Sequence, residues 1–323
     1  MNNGQWQIGE TDKGSRLDKW LASMKRLGSH QRAAKALSDG RILINKRRLT
    51  ASDAERLLQP GDVVRVWIDG GNAHLLPFIE RQFDFLDIIF EDRSLIVLNK
   101  PAGLLSVPHP HRLDEESLFE LAAEYLNFKG QQPLTVHRID RGTTGLVIFA
   151  KTLTAQEKLK EQFLRREPER IYRAITRGIP QPESGVWHDW LQWDSIRRRY
   201  QPGDKASELA REAICSYQVL ERFDCAALID VRLVTGKRNQ IRLQTQMHGY
   251  PLIGEPIYID DGQRSNDIAL GRQALHAYRL NFRHPIDERG LNLEAPVPDD
   301  FTEQLERLRS PGRPEVKRLQ IGQ

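Results

Sequence analysis

Nine consecutive residues, His137-Arg138-Ile139-Asp140-Arg141-Gly142-Thr143-Thr144-Gly145, lead straight into the apolar run Leu146 to Ala150. A carboxylate flanked by two guanidinium groups can be held ionised, and a Gly- and Thr-rich loop ahead of a buried strand can aim it into a cleft. Asp140 is therefore a candidate poised acid. The same residue types also describe an ion pair that caps a turn, and they leave both readings open. Two other chemistries are excluded. His109-Pro110-His111 has neither a cysteine nor a carboxylate pair at ligand spacing, so no metal site is expected. Gly-rich phosphate loops of the Walker or Rossmann type are absent, so no nucleotide cofactor is expected. Cys215 and Cys225 are the only cysteines, too few for a disulfide framework.

The elements around this loop follow from periodicity. Ser15 and Asp18 mark the start of an amphipathic helix with Leu17, Trp20, Leu21, Met24 and Leu27 on one face. Ser29 is placed to cap a second helix, which buries Ala33, Ala36 and Leu37 and stops at Gly40. Arg41 to Asn45 reads as a strand, Asn45 to Arg48 as a basic turn, and Val63 to Ile68 as a strand after the turn Gln59 to Asp62. Asp69-Gly70-Gly71-Asn72 is the strongest linker signal in the chain.

Beyond it, strands are expected at Ile88 to Glu91, Leu95 to Asn99, Leu146 to Lys151, Tyr172 to Thr176, Ala213 to Leu220, Ala227 to Val234 and Leu275 to Phe282. Helices are expected at Glu116 to Leu126, Ala155 to Arg165 and Glu303 to Arg309. The fold class is α+β, with a mostly antiparallel mixed sheet flanked by helices and loops, preceded by a small α+β module. The expected domains are residues 13–70, a linker and domain start over 71–86, a larger domain over 87–310, and a basic tail over 311–323.

Length and charge agree with two domains and a polyanionic partner. At roughly 150 residues per domain, 323 residues make about two. Residues 1–70 hold 13 Lys and Arg against 8 Asp and Glu, an excess of +5 that already exceeds the +4 of the entire chain. A cationic module beside a near-neutral larger one suits nucleic acid, and it also suits an ordinary solvated surface. No apolar run approaches the roughly 18 residues a membrane helix needs. No secretory signal is read at the N-terminus, so the cytoplasm is the expected compartment.

The nine-residue loop closely resembles the signature His-Arg-Leu-Asp-x-x-Thr-Ser-Gly of the RluA-type RNA pseudouridine synthases, with Ile139 and Thr144 as mild departures. Further similarity follows in order along the chain. Asn99 to Leu104 resembles the family's upstream strand-turn, and Arg170 to Ala174 its Lys-x-Tyr-x-Ala strand. Gly236 to Arg242 resembles Gly-Arg-Thr-His-Gln-Ile-Arg, Gly249 to Tyr258 the next turn, and Leu275 to Pro285 Leu-His-Ala-x-x-Leu-x-Phe-x-His-Pro. The N-terminal module resembles the S4-type RNA-binding domain, through Ser15 to Asp18, the Ser29/Arg32/Lys35 helix and the strand ending at Asn45.

This resemblance implies a pseudouridine synthase fold and isomerisation of uridine in RNA. The bond from the ribose anomeric carbon to the base nitrogen breaks, the uracil turns, and carbon 5 is joined to the sugar, without metal or cofactor. It implies Asp140 as the catalytic carboxylate, acting as nucleophile or as acid/base and electrostatic partner of a glycal route. Arg242 is its partner. Tyr172 packs on the base and assists proton removal at carbon 5. Arg138 fills the gap left by the flipped base. Arg16, Ser29, Arg32, Lys35, Lys46 and Lys100 are the further expected RNA contacts, and Leu275 either lies beneath the base or is plain core. Lys237-Arg238-Asn239, Gln244 and Glu255 depart from the family pattern at positions taken to line or support the cleft edge, which bears on the RNA target more than on the chemistry. A monomer acting on ribosomal rather than transfer RNA is expected. The rival reading is an inactive RNA-binding or ribosome-assembly factor of the same fold.

Overall fold

A computed structural model describes residues 4–23, 27–38, 42–45, 47–66, 86–109, 115–259 and 270–310. The expected linker up to residue 85, the tail 311–323, Lys46, Met24, Gly40 and His111 lie outside these. The chain divides at 79/80 into two compact units.

The first unit contains β1 (Gly4–Gln7), α1 (Leu17–Ala22), α2 (His30–Ser38), β2 (Ile42–Ile44), β3 (Arg47–Leu49) and β4 (Val63–Val66). Its strands form an antiparallel sheet in the order β1-β4-β2-β3. Leu17, Trp20 and Leu21 of α1 pack with Ala33, Ala36 and Leu37 of α2 on Ile42, Ile44, Val64 and Val66. Three local expectations change. The module begins before residue 13, because Gly4 to Gln7 pairs with β4. The N-cap of α1 is Arg16, not Ser15, and no side chain caps it. Strand β3 begins at Arg47, inside the stretch Asn45 to Arg48 expected as a turn. Ser29 does cap α2, its Oγ accepting the Arg32 amide at 3.2 Å.

The second unit contains β5 (Ile88–Glu91), β6 (Leu95–Lys100), α3 (Leu118–Asn127), β7 (Leu134–Thr135), β8 (Thr144–Ala150), α4 (Leu153–Leu164) and β9 (Glu169–Arg177). It continues through β10 (Ser184–Asp194), β11 (Arg199–Pro202), β12 (Ala210–Arg222), β13 (Ala226–Leu233), α5 (Gln240–Met247), β14 (Leu275–Arg283), β15 (Gly290–Glu294) and α6 (Asp299–Arg309). Eleven strands form one sheet, ordered β11-β10-β12-β13-β9-β14-β8-β6-β5, with β15 beside β14 and β7 beside β8. Only the β14/β8 pair is parallel among the described strands; the fold is α+β and mostly antiparallel, as expected.

Every residue of β8 is buried, which matches its unbroken apolar run in the middle of a sheet covered on both faces. Gly145 sits in β8 with φ +107, and an added Cβ would collide with the backbone of Ala277, so only glycine lets β14 pair there. Ser117 and Glu120 form a capping box at the start of α3, and Thr152 caps α4. Helix α5, strand β15 and the β10/β11 hairpin were not read from the sequence.

Candidate active site

The Asp140 loop is fixed by backbone and buried polar contacts on both sides. Ser106 Oγ donates to the Ile139 carbonyl at 2.7 Å and accepts from its amide at 3.1 Å. The Thr143 amide donates to the Asp140 carbonyl at 3.0 Å. Gly103 N–H donates to the Arg141 carbonyl at 3.0 Å, and Arg141 Nε returns a bond to the Gly103 carbonyl at 2.8 Å. Arg272 Nη1 donates to the Gly142 carbonyl at 3.2 Å. Half-buried His137 accepts the Ile148 amide on Nε2 at 3.1 Å, which ties the loop to β8, and it stacks on Phe163 at 4.8 Å. Burial, with Arg170 nearby, lowers the His137 pKa to about 3, and a nitrogen that accepts an amide must be unprotonated.

Lys100 completes this clasp and corrects an expectation. Its side chain is fully buried, and Nζ donates to the carbonyls of Pro101 (2.8 Å), Leu104 (2.8 Å) and Arg141 (3.0 Å). An ammonium with all three protons committed inside the protein cannot reach a phosphate, so Lys100 holds the loop and makes no RNA contact. Burial lowers its pKa to about 7, against the opposing pull of Asp140.

Helix α5 brings Arg242 to the loop. Its start is set by Asn239 in the left-handed conformation (φ 58) and by Gln240, whose Oε1 accepts from Thr235 Oγ1 at 2.8 Å and the Lys237 amide at 3.0 Å. Gln244, fully buried, donates to Asp189 Oδ2 at 2.7 Å and the Ala213 carbonyl at 3.1 Å, pinning the helix to the sheet. The guanidinium is then shared unequally. Nε and Nη2 take both oxygens of Glu255 at 2.8 and 2.7 Å, while Nη1 is divided between Asn239 Oδ1 at 3.0 Å and Asp140 Oδ2 at 3.4 Å. Burial pulls the Arg242 pKa down, but Glu255 and Asp140 outweigh it and the net shift is upward. Glu255 also accepts the amides of Ile257 and Tyr258. Glu255 is thus saturated and inaccessible, whereas Asp140 is 20% exposed and its Oδ1 has no hydrogen bond among the described residues.

Asp140 and Arg242 line a cleft of about 630 Å³ together with Tyr172, Leu275, Arg138 and Thr143. Tyr172, on β9, is 9% exposed, and burial raises its hydroxyl pKa. Leu275, on β14, is 4% exposed yet borders the cleft beside it. Arg138 is exposed at the cleft with no side-chain partner among the described residues. The structure therefore brings Asp140, Tyr172, Arg242 and Arg138 together. In the other unit, Arg32 and Lys35 are exposed on α2, and Arg16 is committed to Asp18 at 2.8 Å and Glu55 at 3.0 Å.

Two of the departures from the family pattern have a different role from the one expected. Asn239 lines the cleft and, with Glu255, grips Arg242, while Gln244 docks the Arg242 helix on the sheet, so Glu255 and Gln244 act from behind the cleft wall. Among the described residues no cluster of three or more His, Cys, Asp or Glu is arranged to hold a metal ion.

The mixed sheet thus presents one loop carboxylate, Asp140, against the buried Arg242, with Tyr172 in the same cleft. A family model described as RNA pseudouridylate synthase matches residues 94–247. An uncharacterized RNA pseudouridine synthase of Bacillus subtilis, YlyB, is 33% identical over 97% of this chain and 100% of its own length. Ribosomal large subunit pseudouridine synthase D of Neisseria meningitidis serogroup A is 34% identical over 92% of this chain and 79% of its own. Among solved structures, human RNA Pseudouridylate Synthase Domain Containing 4 superposes with a TM-score of 0.58 at 24% identity, covering 72% of this chain and 96% of that one, and shares the fold. The chain belongs to the RluA-type RNA pseudouridine synthases, isomerases that convert uridine in RNA to pseudouridine.

Proposed function

We propose that this enzyme modifies uridine in large-subunit ribosomal RNA, with Asp140 as the catalytic carboxylate. The observation that carries the reading is the unequal sharing of Arg242: Glu255 takes two short bonds from the guanidinium, and Asp140, which lines the cleft, takes one long bond on Oδ2 and none on Oδ1 among the described residues. A fixed carboxylate there stabilises positive charge at the ribose anomeric carbon, or bonds to it, as the bond to N1 breaks. Tyr172 packs against the uracil once it is out of the stack, and its hydroxyl assists transfer of the carbon 5 proton after the new carbon–carbon bond forms. N1 takes up a proton, so the product is an isomer of the substrate. Arg138, exposed and without a side-chain partner, fills the position the flipped base vacates.

Residues 4–66 act as an S4-like anchor, with Arg32 and Lys35 of α2 as phosphate contacts and Arg16 and Ser29 shaping that face. The ribosomal target is supported by the relatives whose names specify the large subunit. The enzyme works as a cytoplasmic monomer, without metal or cofactor. The test is pseudouridine mapping of ribosomal and transfer RNA from cells lacking the gene, complemented with wild type or Asp140→Asn. Loss of defined sites in large-subunit RNA, restored by wild type alone, is expected; loss confined to transfer RNA would overturn the target, and restoration by Asp140→Asn would overturn the mechanism.

A further inference from the structure

The β10/β11 hairpin carries features that neither the sheet nor the catalytic centre uses. Its tip reads Asp194-Ser195-Ile196-Arg197-Arg198-Arg199. Ile196 is 93% exposed, the most exposed large apolar side chain among the described residues, and the Arg197 side chain is 64% exposed. Asp194 is the acid of the turn, and it is occupied in building it: Oδ1 accepts the amides of Ile196 and Arg197, both at 2.9 Å. Arg197 Nη1 reaches Asp194 Oδ2 only at 3.5 Å, and exposed Arg198, held at φ 52, has no side-chain partner among the described residues. A bare apolar side chain followed by two weakly engaged guanidinium groups suits a polyanion with flat hydrophobic faces.

The hairpin is also continuous with the active-site cleft. Arg238, which lines that cleft, lies over the Trp193 ring at 5.7 Å, and Trp193 is 40% exposed and packed edge-on against Tyr200 at 5.3 Å. On the other strand, Arg199 Nη1 donates to the Ile257 carbonyl at 3.0 Å, and its guanidinium lies 5.5 Å from the centre of the Tyr258 ring. Tyr258 Oη accepts from Asn239 Nδ2 at 3.3 Å, and Asn239 holds Arg242. Arg199 and Arg238 are therefore structural anchors of the hairpin, which leaves Arg197 and Arg198 available.

We propose that the tip Ser195 to Arg198, reached from the cleft past Trp193, is an RNA-docking surface: Arg197 and Arg198 contact phosphates of the strand leaving the cleft, and Ile196 packs against a sugar or base face. The inference rests on the enzyme acting on RNA, and on no choice of target RNA.

The test uses full-length protein and a fluorescein-labelled RNA stem-loop of about 30 nucleotides with a uridine-rich loop. Its dissociation constant is measured for wild type, R197Q/R198N and I196S between 50 and 300 mM KCl. Asn at 198 tolerates the left-handed conformation, and an exposed tip does not threaten folding. Each phosphate contact adds about 0.7–0.9 to the log–log salt slope, so R197Q/R198N should flatten it by about 1.4–1.8 and weaken binding about tenfold at 100 mM. I196S should weaken binding severalfold with the slope unchanged, because it removes contact area and no charge. With an RNA the wild type modifies, KM should rise while kcat stays within twofold. Unchanged affinity and slope in R197Q/R198N overturn the proposal, including the outcome in which the tip meets a protein instead. Because binding is read independently of turnover, a wrong target RNA would leave these shifts intact.

Discussion

Glu255 and Asp140 share one guanidinium, and replacing each by its amide should separate folding from chemistry. In Glu255→Gln a fully buried carboxylate that takes two bonds of 2.7 and 2.8 Å from Arg242 loses its charge. Removing one partner of a buried pair costs about 3–5 kcal/mol, and because Asp140 remains as a second anion the lower end applies. For a domain of 150–250 residues, where 1 kcal/mol moves the midpoint by about 2–4 °C, about 3 kcal/mol lowers Tm by roughly 6–12 °C. In Asp140→Asn the lost contact is a single 3.4 Å bond at a partly exposed group, worth about 1 kcal/mol or less, so Tm falls by no more than about 4 °C. Activity, read as tritium released from carbon 5 of labelled uridine in RNA, runs in a different order. Asp140→Asn abolishes it. Glu255→Gln should lower it on the order of 10–100-fold, because the released guanidinium is expected to turn toward Asp140 and occupy the oxygen that the proposed mechanism reserves for the substrate. Equal melting shifts in the two variants, or a folded Asp140→Asn protein with near wild-type release, would refute this division of labour.

Tyr172→Phe should keep RNA affinity and lower kcat by at least tenfold, whereas Tyr172→Ala should also raise KM; equal kcat in Phe and wild type would show that the hydroxyl takes no part in proton transfer. Lys100→Met leaves three inward carbonyls short of a donor and should destabilise the second unit by about 2–4 kcal/mol in urea titration; a loss of RNA affinity with unchanged stability would restore Lys100 as a phosphate contact. His137 has a folded pKa of about 3 against 6.5 when unfolded, so below pH 6.5 the unfolded state takes up a proton that the folded state refuses, and stability falls as pH drops from 6.5 toward 3. His137→Gln retains an acceptor for Ile148 and removes that titration, so its stability should fall less steeply over the same window; identical slopes would place the sensitivity elsewhere. Charge reversal at Arg32 and Lys35 should reduce the salt slope of RNA binding while turnover at saturating RNA persists, and unchanged binding would remove α2 from the interface.

What was legible in the sequence follows from how local each signal is. Strand β8 stood out because a buried central strand is apolar without interruption, and β5 was placed to the residue because Glu91 and Asp92 end its apolar run. The β10/β11 hairpin was not, because Ser184–Asp194 is a long half-exposed strand in which Trp, His, Asp and Gln interleave, and alternation toward solvent on one side dilutes the apolar pattern. Strand β1 was lost for a related reason: four residues, Gly4–Gln7, earn their strand state from pairing with β4, which periodicity within the segment does not record. Helix α5 is eight residues long and mostly buried, so it shows no polar face to set against an apolar one.

The site divides along the same line. Asp140, Arg138 and the glycines around them sit within one loop, so their types and order are enough to carry the family resemblance before any partner is known. Its support does not. Arg242 lies 102 residues from Asp140, Glu255 a further 13 beyond it, and Asn239 acts through a left-handed backbone that its sequence neighbours do not specify. Lys100 shows the hazard of reading charge by residue type. A lysine after an apolar strand and ahead of Pro101-Ala102-Gly103 resembles an exposed cation, yet three carbonyls converge on it, and only the folded turn reveals that its protons are already taken. The placement of Arg242 has the opposite logic: its guanidinium binds Glu255 through two short bonds and Asp140 through one long one, and the saturated carboxylate is the inaccessible one. The carboxylate with an oxygen that takes no hydrogen bond among the described residues is the one that lines the cleft, which is why the proposed chemistry falls on Asp140 and not on Glu255.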